Sequence, residues 1–413
     1  MRNLAIGNAI RKLSAYALIS IALLHYCSYD HGNPPKERFK GKRHKLHANQ
    51  DVTQETSRES PVDKEEVLPN TDPRYLNISS LSQADQILFN QKIQKISKNK
   101  KYLQNHPKYL KAKTEEYGHH LPKMIIIGSK KCGTGALAKG LQMHPLMPYA
   151  GESYYFYRYQ EEHPDLNWYV QNLIKESRPS DTPFEKTPIY FFSYEILRDI
   201  KEKLPADIKL VNVLCDPVRR VYSEFLHYNR DNLDEATDEK FEELVDDMIH
   251  YFKTEIQSKV QNDDGNGTIT YQDLWKSTGQ EFAVHGSGST PLLKSAYSIY
   301  IKEWYKNFKK DENILTLDGS LLYSDPGKLF VKIQKFLKVP VAIDENNFLY
   351  NEERGLFCKI DLDGNPSCPG GGKGRSTSRD VPERVKEKLR EVLDPFTREL
   401  EVIEGKSFSH WNW

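Results

Sequence analysis

Met124–Leu137 reads MIIIGSKKCGTGAL, and this stretch decides the fold. Met124 to Ile127 are apolar and mostly β-branched, which predicts a buried strand. Gly128 breaks the run into a loop rich in glycine and lysine, and apolar residues then return at helical spacing as Ala136, Leu137 and Leu141. Strand, loop and helix N-terminus in that order present backbone N–H groups and a positive dipole end to an anion. Lys130 and Lys131 add charge at the same point. The glycine spacing of Gly128 and Gly133 approaches the nucleoside triphosphate loop GxxxxGK[ST]. Here, however, Thr134 directly follows the second glycine and the lysines precede it. A lysine so placed meets a 5′-phosphate and the bond leaving it, not a β/γ-phosphate pair. The competing reading is an ordinary strand-to-helix turn with surface lysines.

The chain has 413 residues and a formal net charge of +1, so it is no polycation. A polyanionic partner would have to be met by a local basic cleft. The five cysteines, Cys27, Cys132, Cys215, Cys358 and Cys368, form no CxxC or Cys/His cluster of metal-site spacing. No metal site is expected. Cys358 and Cys368 lie close together in a Gly/Pro/Asp-rich stretch and are read as a disulfide closing a surface loop.

Arg2, Arg11 and Lys12 precede the apolar segment 13–27 (LSAYALISIALLHYC). We read 1–12 as a cytosolic tail and 13–27 as an uncleaved signal anchor, with the remainder lumenal. A cleaved signal peptide is the rival reading, but no clear small-x-small site follows. Residues 28–120 are polar and charged and read as an extended stem, in which Ser80 to Leu103 has a weak helical pattern of a solvated kind. Asn77 and Asn266 stand in Asn-x-Ser/Thr acceptors for glycosylation. The folded domain is expected over 121–413. Strand-like runs at Met124–Ile127, Ile208–Leu214 and Ile314–Leu317 alternate with helical patterns, which predicts an α/β domain with a mainly parallel sheet flanked by helices. Ligands then bind at the carboxyl ends of the strands. The segment 351–377 is expected to be a long irregular loop.

Four further pieces accompany the phosphate loop: Gly151-Glu-Ser-Tyr-Tyr-Phe156, Phe184-Glu-Lys-Thr-Pro188, Cys215-Asp-Pro-Val-Arg-Arg-Val-Tyr-Ser223 and Lys373-Gly-Arg-Ser-Thr377. Trp304, Leu317-Asp-Gly-Ser-Leu-Leu and Arg354-Gly-Leu-Phe-Cys358 complete the set. In order and spacing these resemble the Golgi heparan sulfate sulfotransferases, most of all the glucosaminyl 3-O-sulfotransferase branch, over 121–413.

The resemblance implies a P-loop-like sulfotransferase domain, 3′-phosphoadenylyl sulfate as donor and heparan sulfate as acceptor, in a type II protein of the Golgi membrane. It implies Glu152 as catalytic base, Lys131 on the 5′-phosphosulfate and the leaving oxygen, and Lys186 reaching both acceptor and transferring group, supported by Glu185. Lys131, Cys132, Gly133, Thr134 and Gly135 would hold the donor with Cys215, Ser223, Phe357, Lys373, Gly374, Arg375, Ser376 and Thr377. Glu152, Ser153, Tyr154, Arg158, Lys186, Thr187, Pro188 and Ile189 would line the acceptor site, with Lys130 and Lys294 adding attraction for a polyanion. The chain departs from the branch in places. Gly135 stands where an arginine is usual, and Tyr154 where a histidine is frequent. Cys215 replaces the arginine that pairs with Ser223 on the 3′-phosphate, and a neutral thiol cannot form that bidentate contact. Arg219 and Arg220 are the candidates to compensate.

Two rivals are carried. N-sulfation of the same sugar is suggested by Leu317-Asp-Gly, although that branch carries a large deacetylase domain for which the roughly 120 residues before Leu121 are too few. A lumenal glycan-binding protein with a decayed donor site is suggested by Cys215 and Gly135. An NTP hydrolase or kinase is disfavoured by the missing lysine after Gly133.

Overall fold

In a computed structural model, residues 76, 78–230, 232–258, 269–271, 274, 290–369 and 380–411 are described. Four strands, β1 (Met124–Gly128), β2 (Phe184–Lys186), β3 (Lys209–Leu214) and β4 (Ile314–Asp318), pair in the order β2-β1-β3-β4, every pair parallel. The sequence shows why: β1 is buried at all five positions and β3 at five of six, the near-continuous apolar run of a strand covered on both faces. The α/β expectation and its parallel sheet hold.

Strand β2 was not legible. Its sequence, Phe-Glu-Lys, lacks an apolar pattern, yet all three residues are buried. It pairs with β1 through Met124 to Ile126 on one side. On the other it is flanked by the segment 148–151, where Ala150 N–H donates to Phe184 O at 2.9 Å and Lys186 N–H to Gly151 O at 3.0 Å. That segment delivers Glu152 to the end of β2.

Among the helices are α1 (Gln83–Asn105), α2 (Pro107–Lys113), α3 (Thr134–Leu141), α4 (Tyr194–Lys203), α5 (Pro217–Tyr228), α6 (Asp238–Tyr251), α7 (Tyr297–Asn307), α8 (Pro326–Phe336) and α9 (Glu383–Glu404). Helix α5 starts where its sequence says: Pro217 occupies the first turn, and the Asp216 carboxylate accepts from Val218 N–H at 2.9 Å and Arg219 N–H at 3.1 Å.

A second, antiparallel sheet joins β5 (Phe348–Asn351), β6 (Leu356–Ile360) and β7 (Pro366–Ser367). It corrects the expectation of an irregular loop over 351–377: alternation in Leu356-Phe-Cys-Lys-Ile360 makes a half-buried strand. Cys358 is bonded to Cys368. Helix α1 is not solvated either. Phe89 and Ile96 bury against Leu349, Cys358, Ile360 and Cys368, each fully buried apolar side chain contributing about 1.5–3 kcal/mol. Asn99 Nδ2 also donates to Asp344 Oδ2 at 2.7 Å.

Residues 1–75, Asn77, Asn266 and Lys373 to Thr377 lie outside the described residues, and with them the expected anchor, most of the expected stem, both expected glycosylation acceptors and the expected second donor loop. Among the described residues no helix is long and apolar enough to cross a membrane.

Candidate active site

The loops that leave β1, β2, β3 and β4 all open at the carboxyl edge of the parallel sheet. The β1 loop leaves the sheet through Gly128, where a Cβ would stand 2.5 Å from Phe191 Cβ and 2.8 Å from Asn212 Oδ1. Only glycine permits that approach. Ser129 N–H then donates to Val213 O at 2.9 Å, and its hydroxyl to Asn212 Oδ1 at 3.3 Å. Lys131 and Gly133 both adopt left-handed backbone, with φ of 77° and 85°. Such a conformation is ordinary for glycine and strained for lysine. Gly133 is the N-cap of α3, and no side chain caps that helix end. The first backbone N–H groups of α3 therefore carry no side-chain cap, as an anion site requires.

The two lysines of the loop part company. Lys130 Nζ lies 3.4 Å from the buried Glu224 carboxylate and donates to Tyr228 Oη at 3.1 Å. Burial alone would lower its pKa, but these partners carry it upward. Lys131 is half-buried, and among the described residues its ammonium has no hydrogen-bond or ion-pair partner. Burial, helped by Lys130 and Arg220 and opposed by Glu224, brings its pKa down to about 8.

At the same sheet edge, at the ends of β2 and segment 148–151, Glu152 accepts from two donors. Its Oε1 pairs with the buried Lys186 ammonium and its Oε2 accepts from Tyr154 Oη. The guanidinium of exposed Arg158 stacks 4.8 Å above the Tyr154 ring. Glu185, directly before Lys186, has no contact of this kind with the ammonium. It is wholly buried and accepts from the hydroxyl and N–H of Ser153, from Tyr169 Oη at 3.1 Å and from Thr187 Oγ1 at 2.9 Å. Burial pushes its pKa up against those hydrogen bonds. Glu185 thus binds Ser153 to Thr187, the residues next to Glu152 and Lys186, and holds the end of segment 148–151 to the end of β2.

At the end of β3, Cys215 is not the free thiol expected from its place in the sequence. It is joined to Cys132 of the phosphate loop, 83 positions away, with Cα atoms 5.3 Å apart. Arg220, a candidate to compensate for the missing arginine, points into the core: its Nη1 donates to Pro291 O at 2.7 Å and its Nη2 pairs with Glu224. With Lys294 and Lys130 it holds the Glu224 carboxyl well below the usual range, against the opposing effect of burial. Lys294 is 1% exposed and so is no part of an open basic cleft, contrary to expectation. Arg219 stays exposed, 3.1 Å from Asp380. Ser223, on α5, is half-buried.

A family described as Sulfotransferase domain matches residues 121–359, more than half of the chain. The chain belongs to the sulfotransferase domain family. Among curated relatives, the sulfotransferase domain is similar to mouse "Heparan sulfate glucosamine 3-O-sulfotransferase 3A1", 27% identical over 71% of this chain and 65% of that protein. Human "Heparan sulfate glucosamine 3-O-sulfotransferase 5" is 28% identical over 71% of this chain and 74% of that protein. "Bifunctional heparan sulfate N-deacetylase/N-sulfotransferase 1" of Xenopus laevis is 29% identical over 62% of this chain and 26% of that protein. The match thus spans just under two thirds of the first of these relatives and a quarter of the last.

Within the sulfotransferase domain, Lys131 to Gly135, Glu152 to Tyr154, Lys186 to Ile189 and Cys215 share one sheet edge. Phe357 lies on the separate antiparallel sheet, in edge contact with Tyr350 at 5.1 Å. At Gly135 an added Cβ would meet nothing within 4 Å, so close packing does not require glycine there. Sequence reasoning missed the Cys132–Cys215 bond, the Tyr154–Glu152 contact and the role of Tyr169 and Glu185 in joining segment 148–151 to the end of β2. One signal was available for the first: each cysteine follows closely on a predicted strand, and neighbouring parallel strands end side by side.

Proposed function

We propose that the protein transfers the sulfuryl group of 3′-phosphoadenylyl sulfate to glucosamine of heparan sulfate, at the 3-hydroxyl. The single observation that carries this reading is the Lys131 ammonium, half-buried and without a partner among the described residues, beside an uncapped helix N-terminus at the edge where Glu152 and Lys186 also stand. A buried cation without a counter-ion is costly, and a bound anion removes the cost. The loop fits a phosphosulfate: Lys131 grips its 5′ end, the N–H groups of α3 and the Thr134 hydroxyl donate to it, and Ser223 lies on the helix that begins next to Cys215. When bound, the donor supplies an activated sulfuryl group. The remaining work falls to the protein, and it is positioning and charge stabilisation. Lys131 stabilises the departing phosphate oxygen. Glu152 takes the proton of the acceptor hydroxyl, and Lys186 holds Glu152 while reaching toward the transferring group. Arg158, exposed at the rim, attracts the polyanion, with an affinity that falls in salt. The similarity to 3-O-sulfotransferases along most of their length supports the acceptor. The apolar segment 13–27 supports a Golgi membrane anchor with the domain lumenal.

Incubation of the protein with labelled donor and defined heparan oligosaccharides, followed by mapping of the sulfated atom, tests the reading. Label on the glucosamine 3-oxygen is expected. Label on the amine would transfer the assignment to N-sulfation, toward which the 29% identity to the N-sulfotransferase points. No transfer together with no donor affinity would leave a glycan-binding protein.

A pH dependence follows from Lys131. Its amine is charged below about pH 8 and neutral above. A bound phosphate raises that value, so binding takes up a proton at and above pH 8. Affinity for adenosine 3′,5′-bisphosphate is therefore expected to fall as pH climbs through 8, by up to about tenfold per unit. Calorimetry between about pH 7 and pH 9.5 reads this, and a flat profile removes Lys131 from the contact.

A further inference from the structure

The Cys132–Cys215 bond has no part in the chemistry above, yet it joins the two loops that flank the proposed donor site. Cys132 lies between Lys131 and Gly133, the two left-handed residues of the phosphate loop. A lysine held at φ 77° persists only where its surroundings over-determine it. The bond supplies that constraint. Its far end is firm: Cys215 directly follows β3 and precedes Asp216, the cap of α5. Its near end is sealed, since Cys132 is 3% exposed. Tyr297 Oη, itself buried, stands 3.4 Å from Cys132 Sγ and 3.8 Å from Cys215 Sγ. The Tyr297 ring meets Trp411 edge-on, and the Trp411 indole N–H donates to Asp318 Oδ1 at 2.9 Å, at the end of β4. The bridge is thus tied to three strand ends.

We propose that this disulfide is a positioning element for donor binding: it locks the phosphate loop in the conformation that presents Lys131, so donor affinity depends on the bond being oxidised. The inference rests on the donor-site reading given above. Reduction by a dithiol converts the bridge to two thiols while the dithiol closes to its own cyclic disulfide. The loop then relaxes at Lys131 and the preorganised grip is lost.

The test compares the full chain with its Cys132→Ala/Cys215→Ala variant, in which mass spectrometry verifies that Cys358–Cys368 remains closed. Affinity for adenosine 3′,5′-bisphosphate is expected to weaken about tenfold in the variant, with its circular dichroism unchanged. The fall in affinity above pH 8 should also flatten, because Lys131 no longer meets the phosphate; general loosening of the fold would not move that profile selectively. Should the variant fail to fold, reduction of the folded wild type, with differential alkylation to identify the opened pair, gives the same comparison, and reoxidation should restore affinity. Equal affinity and an equal pH profile with the bridge open would overturn the inference. No binding by the oxidised wild type would instead overturn the donor-site reading itself.

Discussion

Glu152→Gln is expected to reduce kcat by about 10²–10⁴-fold, the usual worth of a general base, while leaving donor affinity unchanged. The substitution keeps the size of the side chain and removes its capacity to take a proton. Both carboxylate oxygens already have donors, Lys186 on one and Tyr154 on the other. A carboxylate retains free lone pairs beyond two such contacts, so an incoming sugar hydroxyl can still be accepted. Donor affinity should hold because Glu152 is tied to the end of β2 through Lys186, and not to the β1 loop. Initial rates with a heparan oligosaccharide, beside calorimetry with adenosine 3′,5′-bisphosphate, read the two quantities separately. Turnover at the wild-type rate would remove Glu152 from the mechanism. Loss of both quantities together would reassign it to the integrity of the site.

The second large effect is expected at Lys131, and it contrasts with its neighbour. Lys131→Ala should lower kcat by about 10²–10³-fold, the cost of removing one preorganised donor from a developing negative charge, and should weaken donor binding as well. Lys130→Ala should change neither by more than a few-fold, because that ammonium is engaged with Glu224 and Tyr228. Its expected cost is in stability, since Glu224 is fully buried and would lose one of the cations that balance it. Thermal unfolding and turnover measured on both variants separate the two roles. If Lys130→Ala proved the more damaging to turnover, the division of labour read from the loop geometry would be reversed.

How much of this was legible beforehand differs from residue to residue. Strand β1, its glycine-lysine loop and the helix after it were plain, because apolar period and turn chemistry are local signals. The same is true of α5, announced by Asp216 and Pro217. Phe184-Glu-Lys186 was recognised as a motif but not as a strand. Its burial comes from β1 on one side and segment 148–151 on the other, neither of which is near it in the chain. The hairpin at 356–367 was missed for a related reason: short strands joined by a glycine-containing turn, one of them opening on Pro366, look like loop until a partner is present.

Local pattern in the sequence thus determined the parallel α/β class and the strand, glycine-lysine loop and helix that begin it, because each depends on side chains within a few positions of one another, whereas the residues expected at the sheet edge came from the family resemblance. Tertiary structure alone decided which lysine of the loop is left without a partner among the described residues, that Arg220 and Lys294 turn inward to Glu224, that Glu185 joins Ser153 to Thr187, and that Cys215 bonds Cys132. Those outcomes depend on distances between loops from separate strands, and such distances exist only once the sheet has set the strand order.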